Sequence, residues 1–457
     1  MLLETIELPT GEHYARNLID GRWEFPAAPY EYEIRNPSDS TITAVVPLSS
    51  RFDVDRAISA ARQALSGPWS ELHTREKLLA LLLHRLAEAA PDLARLQSTE
   101  TGLSYADSLA TIESTLRIAR VILTREVLHP RPGPACISGH VLSWGAPFSE
   151  MLLNVFPALA AGHTVVVKPS LRGPLSPAAV AFIADQLRFP AGVVNIVQGT
   201  GVDVGAALIS STALQTLHVR ANESTLSRAS RAEERTHVPL RTVSGGGNAA
   251  IVYPGLEEHK FATMATEIAE AVRVHNAGGP FGLHTVAVHR DVAKNAIACI
   301  LGQLALFNNR AAPLPTEPLR RRALDRVDQL AAGGGRVLLG GTIPDDIQHR
   351  MGWRLPTTVV DLGEVTSKVT ALAHSREPLG PVLTFVHWNT LADLDGVFDS
   401  RRHRDGYAAV WGDDSADDRT RFGVTAREQG PRSAMHSGLV PAAWTGESAH
   451  RGNEVTP

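Results

Sequence analysis

The sequence predicts an α/β protein, a Rossmann-like doubly wound sheet followed by a second α/β unit. Residues 164–168, Thr-Val-Val-Val-Lys, form a dense β-branched run between Gly162 and Pro169, the pattern of a strand buried on both faces. Strand patterns at 137–142, 164–168, 193–197 and 217–220 alternate with helix patterns at 149–161, 175–187 and 224–234, which is the rhythm of β-α-β units. Beyond Gly245-Gly246-Gly247, a hinge-like boundary, the same rhythm starts again.

Taken in order, residues 14–46 read as edge hairpins, with Asn36-Pro37-Ser38-Asp39 as a turn. Asp53 is the expected N-cap of a helix carrying Val54, Ile58, Ala61 and Leu65 at helical spacing. A second helix begins near Thr74 with Leu78, Leu81, Leu82 and Leu86, and residues 98–103 read as a turn stopped by Gly102. Gly199, Gly201 and Gly205 follow the 193–197 strand and lead into a helix. The second unit shows a helix at 263–272, a strand at 283–288 and a helix at 292–306. A loop at 313–318, a helix at 319–332 and a strand at 336–339 follow.

Composition narrows the function classes. The chain has 457 residues, 44% hydrophobic and 20% charged, enough for two or three soluble domains with large cores. A net charge of -4 without a basic stripe argues against nucleic acid as a partner. The longest apolar stretch, 156–167, is too short to span a bilayer and is broken by Gly162 and His163, so no membrane partner is expected. Two cysteines, Cys136 and Cys299, exclude a disulfide framework. Met1 to Pro9 holds two Glu and no basic n-region, so a signal peptide is not expected and the reading is cytoplasmic. No His-x-x-x-His pair falls on a convincing helix, and no metal is expected.

Landmarks recur along nearly the whole chain, from about Leu18 to about Val440. Early ones are Ile19-Asp20-Gly21 with Trp23, Asn36-Pro37, Asp53-Val54-Asp55 with Ala60-Ala61, and Trp69. Middle ones are Trp144, Pro147, Ala161-Gly162, Lys168-Pro169-Ser170 and Pro190-Ala191-Gly192-Val193, continuing through Asn195 and Val197 to Gly199. Late ones are Asn276-Ala277-Gly278, residues 336–341, residues 355–359, and Glu377 to Val382. No one of these is specific, but in this order and spacing the chain resembles the NAD(P)-dependent aldehyde dehydrogenase superfamily. The resemblance implies a dinucleotide-binding domain (1–122 and 137–243), an α/β catalytic domain (244–429), and a bridging element (123–136 with 430–457) that is reduced here.

The resemblance also implies a thiol nucleophile, a general base and an oxyanion-binding amide. The nucleophile motif, Asn-x-Gly-Gln-x-Cys, is matched by residues 276–281 with Phe281 at the Cys position. The base motif, Glu-Leu-Gly-Gly-Lys, is matched by 243–247 with Val243 at the Glu position. The amide motif, Pro-Trp-Asn-Phe-Pro, is matched by 143–147 with Gly145 at the Asn position. Asn276, His275 and His284 are the polar residues nearest these positions, with His284 equally readable as packed or exposed. Both cysteines read as small buried hydrophobes.

For the cofactor, NAD or NADP, the resemblance places Lys168 and Glu377 on the two riboses. Lys168 reads equally as a strand-end lysine reaching water. The acidic partner expected three residues after it is Leu171, and the residue two after Glu377 is Leu379 rather than Phe. Trp144, Gly201 and Arg220 complete the cofactor-side candidates, Arg220 reading either as a phosphate fork or as a surface arginine. Three functional readings stay open. The first is a pseudoenzyme, a ligand-binding or partner protein taking a small carbonyl ligand. The second is a specialised NAD(P)-dependent oxidoreductase acting on an aldehyde or related carbonyl with relocated catalytic groups. The third is a non-redox enzyme using His275 or His284. A homodimer is expected.

Overall fold

The structure, a computed structural model, describes residues 16–26, 30–129, 133–244, 249–273, 282–307, 312–373, 380–397 and 408–412. Two hairpins open the chain: β1 (Asn17–Ile19) with β2 (Arg22–Glu24), and β3 (Glu31–Arg35) with β4 (Ile42–Pro47). Four helices follow, α1 (Arg51–Ala64), α2 (Leu72–Glu88), α3 (Ala90–Thr101) and α4 (Tyr105–Leu128). The N-cap of α1 is Ser50 rather than Asp53. Asp53 sits at N3, and its carboxylate accepts from the Ser50 N–H in a capping box. The 24 residues of α4 take in 123–128, which the sequence reading gave to a bridging element.

The alternating unit then runs β5 (Ile137–Val141), α5 (Pro147–Ala160), β6 (Thr164–Lys168), α6 (Leu175–Gln186) and β7 (Val194–Ile196). A single π-type turn, Gly201–Gly205, leads into α7 (Ala206–Ile209). After it come β8 (Thr216–Ala221), α8 (Glu223–Thr236) and β9 (Leu240–Ser244). The sheet order is β2-β1-β7-β6-β5-β8-β9, parallel from β7 to β9. Valines 165–167 are fully buried because helices cover both faces. The α2–α6 layer packs Leu79, Leu86, Ile112, Phe148 and Phe156 on one face. Helices α1, α7 and α8 pack Val54, Ile58, Leu208 and Ala232 on the other. Each large apolar side chain so buried contributes roughly 1.5–3 kcal/mol.

The second sheet is built from β10 (Ala249–Val252), α9 (Phe261–Arg273), β11 (Thr285–His289), α10 (Ala293–Phe307), α11 (Glu317–Ala332) and β12 (Arg336–Leu339). It is completed by α12 (Ile347–Met351), β13 (Thr358–Glu364), α13 (Ser367–Ala373), β14 (Val382–Trp388), α14 (Leu391–Val397) and β15 (Ala408–Trp411). Its order is β12-β13-β14-β11-β10-β15, antiparallel only at β12. The expected 313–318 loop is shorter than read, because Glu317 and Pro318 already belong to the first turn of α11, where proline loses no hydrogen bond.

The two sheets are tied together at named points. Trp144, beyond β5, packs on a cluster of Leu314, Leu319, Ala323 and Leu355. Asp107 on α4 pairs with Arg273 at the end of α9 at 2.6 Å. The β3–β4 hairpin joins the second unit as well, the Trp353 N–H donating to the Pro37 carbonyl at 2.9 Å.

Candidate functional site

In a doubly wound sheet, ligands collect beyond the C-terminal ends of the parallel strands. Lys168 ends β6 at that edge and is 5% exposed. Among the described residues its ammonium makes no hydrogen bond or ion pair. Burial, and then the charge of Arg172, bring its ammonium down to about 8. Burial of the side chain disfavours its charged form, and an anionic or hydroxyl-bearing ligand at the strand end would offset that cost. Gly205 lies against it: a Cβ there would stand in ordinary contact, 3.8 Å from the Thr200 carbonyl oxygen and 4.0 Å from the Lys168 Cδ.

The turn after β7 is held by its own cap. The Thr200 hydroxyl accepts from the Val202 and Asp203 N–H groups at 3.2 and 3.0 Å. Gly201 has nothing within 4 Å of where a side chain would stand, so its backbone is open to a ligand. Between this turn and α8 runs a cleft of about 300 Å³. Gly201, Ala206 and Ile209 form one wall, and Arg228, Arg231 and Arg235 stand on the other. A lone buried ammonium, a glycine turn and a basic cleft fit a dinucleotide. When bound, that cofactor would supply the hydride acceptor or donor.

One cofactor-side expectation, Arg220, is corrected. Arg220 does not reach out to a phosphate: it is 6% exposed, and its Nε meets the fully buried Glu150 Oε1 at 2.7 Å. Burial pushes the Glu150 carboxyl up, against the pull of Arg220, Ser143 and Asn154. Trp144 packs on the cluster that ties the two sheets.

Of the expected chemical positions, Gly145 is buried beyond β5, and Val243 lies on β9 in register with Arg220. His284 is half-buried ahead of β11, and its carbonyl accepts from the Thr384 N–H at 2.9 Å and hydroxyl at 3.1 Å. His275, Asn276, Phe281 and Glu377 lie outside the described residues. Cys136 stands at the N-terminal end of β5, opposite the ligand edge, and burial pushes its thiol up to about 11. Cys299 packs on the core of the second sheet. No group of three or more His, Cys, Asp or Glu that could hold a metal occurs among the described residues. Among them, no helix is long and apolar enough to cross a membrane.

Sequence reasoning missed two buried groups. His140 on β5 stacks on His218 of β8, with ring centroids 4.7 Å apart, and meets the Ser138 hydroxyl at 2.9 Å. Glu100 on α3 accepts from the Leu175 and Ser176 N–H groups at the start of α6. The one available signal was a lone Glu or His inside an otherwise apolar pattern, as at Glu150 within α5.

Comparison with known proteins places this architecture. A family described as the aldehyde dehydrogenase family matches residues 23–414. The 3,6-anhydro-alpha-L-galactose dehydrogenase of Streptomyces coelicolor is 27% identical over 82% of this chain and 80% of its own length. The 2-hydroxymuconic semialdehyde dehydrogenase of a Pseudomonas strain is 25% identical over 78% and 79%. A mutant Aldehyde Dehydrogenase C from Pseudomonas syringae, complexed with NAD+ and octanal, superposes with TM-score 0.79 at 21% identity over 92% of this chain and 89% of that one. These relatives are named as dehydrogenases and span both sheets. They correct the pseudoenzyme expectation, which rested on three motif positions alone, and they back the oxidoreductase reading. The match extends over both sheets, and the chain belongs to the aldehyde dehydrogenase family.

Proposed function

We propose that the chain is an NAD(P)-dependent oxidoreductase acting on an aldehyde or related carbonyl, with catalytic groups placed elsewhere than in the family's usual motifs. The observation that carries the cofactor half is Lys168, buried and without a partner at the ligand edge of the sheet. The relatives named for aldehyde substrates support the carbonyl half.

Lys168 holds the dinucleotide on one side, and Glu377 is the proposed second ribose contact. Gly201 and Gly205 let the backbone come close. Phe281, Val243 and Gly145 offer no nucleophile, base or amide side chain at the three motif positions. Cys136 is excluded as the thiol by its place and by a thiol held protonated at neutral pH. Cys299, His275, Asn276 and His284 remain as the candidate groups.

Formation of NADH or NADPH over a panel of aliphatic and aromatic aldehydes tests the activity. Turnover of roughly 1 per second or more is expected with one substrate class. It should survive Cys136→Ser, whereas loss in Cys299→Ser would identify the thiol. The double variant Lys168→Ala, Glu377→Ala should lose dinucleotide binding in calorimetry. Absence of both turnover and binding would overturn the reading.

A further inference from the structure

We infer that the carboxylate of Glu150 accepts the proton in the proposed carbonyl reaction, and that Arg220 holds it in place for that role. The inference rests on the oxidoreductase reading and supplies it with a base.

Glu150 is the one charged residue in the sequence of α5, and it is fully buried. Its Oε1 meets the Arg220 Nε at 2.7 Å. The Ser143 hydroxyl and N–H both donate to the carboxylate. Asn154, half-buried one turn further along α5, donates to Oε2 at 3.2 Å. Ser143 and Arg220 each adjoin a motif position that has lost its polar side chain. Ser143 opens the 143–147 motif, in which Gly145 takes the Asn position. Arg220 on β8 is the ladder partner of Val243 on β9, which takes the Glu position. One carboxylate is thus gripped from the two places where that side-chain chemistry is missing.

The place suits the role. Val167 of β6 packs in the α2–α6 layer and Val219 of β8 on the other face. Lys168 and Arg220, each one residue further, therefore leave the ligand edge on opposite faces, which separates cofactor holding from proton transfer. Trp144, next to Ser143, packs on Leu314, Leu319 and Leu355 of the second unit, so the carboxylate lies near the junction of the two units, a usual place for a ligand. For fastening alone, apolar side chains of similar volume would serve as well as a buried ion pair. Burial raises the Glu150 carboxyl and strengthens it as a proton acceptor, while the Arg220 charge favours the ionised form that can act. In the step, a water O–H bond breaks toward Glu150 as the water oxygen bonds to the aldehyde carbon and the carbonyl pair moves onto its oxygen. The aldehyde C–H then leaves as hydride to the oxidised nicotinamide dinucleotide, and Glu150 returns its proton to solvent. The balance is aldehyde, water and oxidised dinucleotide to carboxylic acid, reduced dinucleotide and one proton.

The test compares two variants in NADH or NADPH formation, in thermal melts and in calorimetric binding of the dinucleotide. Glu150→Gln keeps the shape of the side chain and removes the proton acceptor. The double variant Glu150→Leu, Arg220→Met removes both charges together and keeps an apolar fit. Referred to the folded fraction from near-UV circular dichroism, turnover should fall about 100-fold or more in both, with dinucleotide binding unchanged. The double variant should melt close to the unsubstituted chain, because no charge is left stranded. A smaller loss of turnover in either variant would show that the pair only fastens α5 to β8, and would overturn the inference while the oxidoreductase reading stands. So would dinucleotide binding that falls in step with turnover, or loss of the fold in both variants. An unsubstituted chain that turns over no aldehyde would overturn both.

Discussion

Glu100 is a carboxyl inside the α2–α6 layer, 1% exposed, that closes the start of α6. Burial pushes it up from 4.5 to about 7, although Ser176 and Leu175 hydrogen bonds pull the other way. A raised folded-state pKa means that its contribution to stability is full below pH 4.5 and is lost as pH rises through 7. The slope is at most about 1.4 kcal/mol per pH unit for one proton. Glu100→Gln should flatten this slope in urea denaturation between pH 4.5 and 7, and an unchanged slope would assign it to another group. His140 has the opposite sign. Burial, with His218 and His163 nearby, holds it well below 6.5, so its contribution is lost as pH falls through the acid range. At Glu150 and Arg220, Arg220→Met should cost roughly 3–5 kcal/mol by stranding a buried carboxylate. Adding Glu150→Leu should recover most of that loss in thermal melts. These pairings were invisible in the sequence, because Glu150 and Arg220 belong to no shared period. Lys168 was legible because a β-branched run pointed at its strand end.

Helix α1 shows which elements the sequence announces. Its apolar spacing was plain, and its start was misplaced only because Ser50 and Asp53 are both good capping residues that act as a pair. Ser50→Ala should cost about 1 kcal/mol. The Pro190-Ala191-Gly192-Val193 run also has a local reason. Gly192 has φ of 78°, and a Cβ there would collide with the Ala60 carbonyl of α1. Gly192→Ala should therefore cost roughly 2 kcal/mol or more, beyond the left-handed backbone cost alone. Urea midpoints of the two variants would test this order, and a milder effect at Gly192 would show that α1 can move away. Helix α4 was expected only as the helix beyond the 98–103 turn, without bounds. Its buried face mixes Ser108, Thr111, Ser114 and Thr115 with Ile112, Leu116, Ile118 and Ile122. The Thr115 hydroxyl turns back to the Thr111 carbonyl at 2.8 Å and meets Ser149 of α5 at 2.7 Å. Small hydroxyl residues let α4 and α5 approach closely, and they hide the helical period from a hydrophobicity reading.

At the scale of the molecule, the order of strands and helices made the doubly wound half legible, and the second sheet was only half seen. Strands β10, β13, β14 and β15 were not recognised. Strand β10 is buried throughout and apolar without alternation, while β13 and β14 are buried over most of their length but carry Asp361, Thr384 and His387 within the apolar run. Assembly follows from lengths. Helix α4 runs to Leu128 and β5 starts at Ile137, a stretch shorter than a hairpin of two ordinary five-residue strands and containing Pro130, Pro132 and Pro134. A dimer rather than a tetramer is therefore expected in light scattering behind size exclusion, and a tetramer stable on dilution would refute it. The edge strand β1 has a consequence for synthesis. Leu18 lies opposite Ile196 of β7, and Asn17 accepts from the Gln198 N–H at 2.8 Å. At translation rates of about 5–20 residues per second, β1 waits roughly 10–40 s after its own synthesis for its neighbour β7. Leu18 and Ile19 lack their β7 neighbour through that interval, which makes them a natural point for a chaperone to hold the nascent chain.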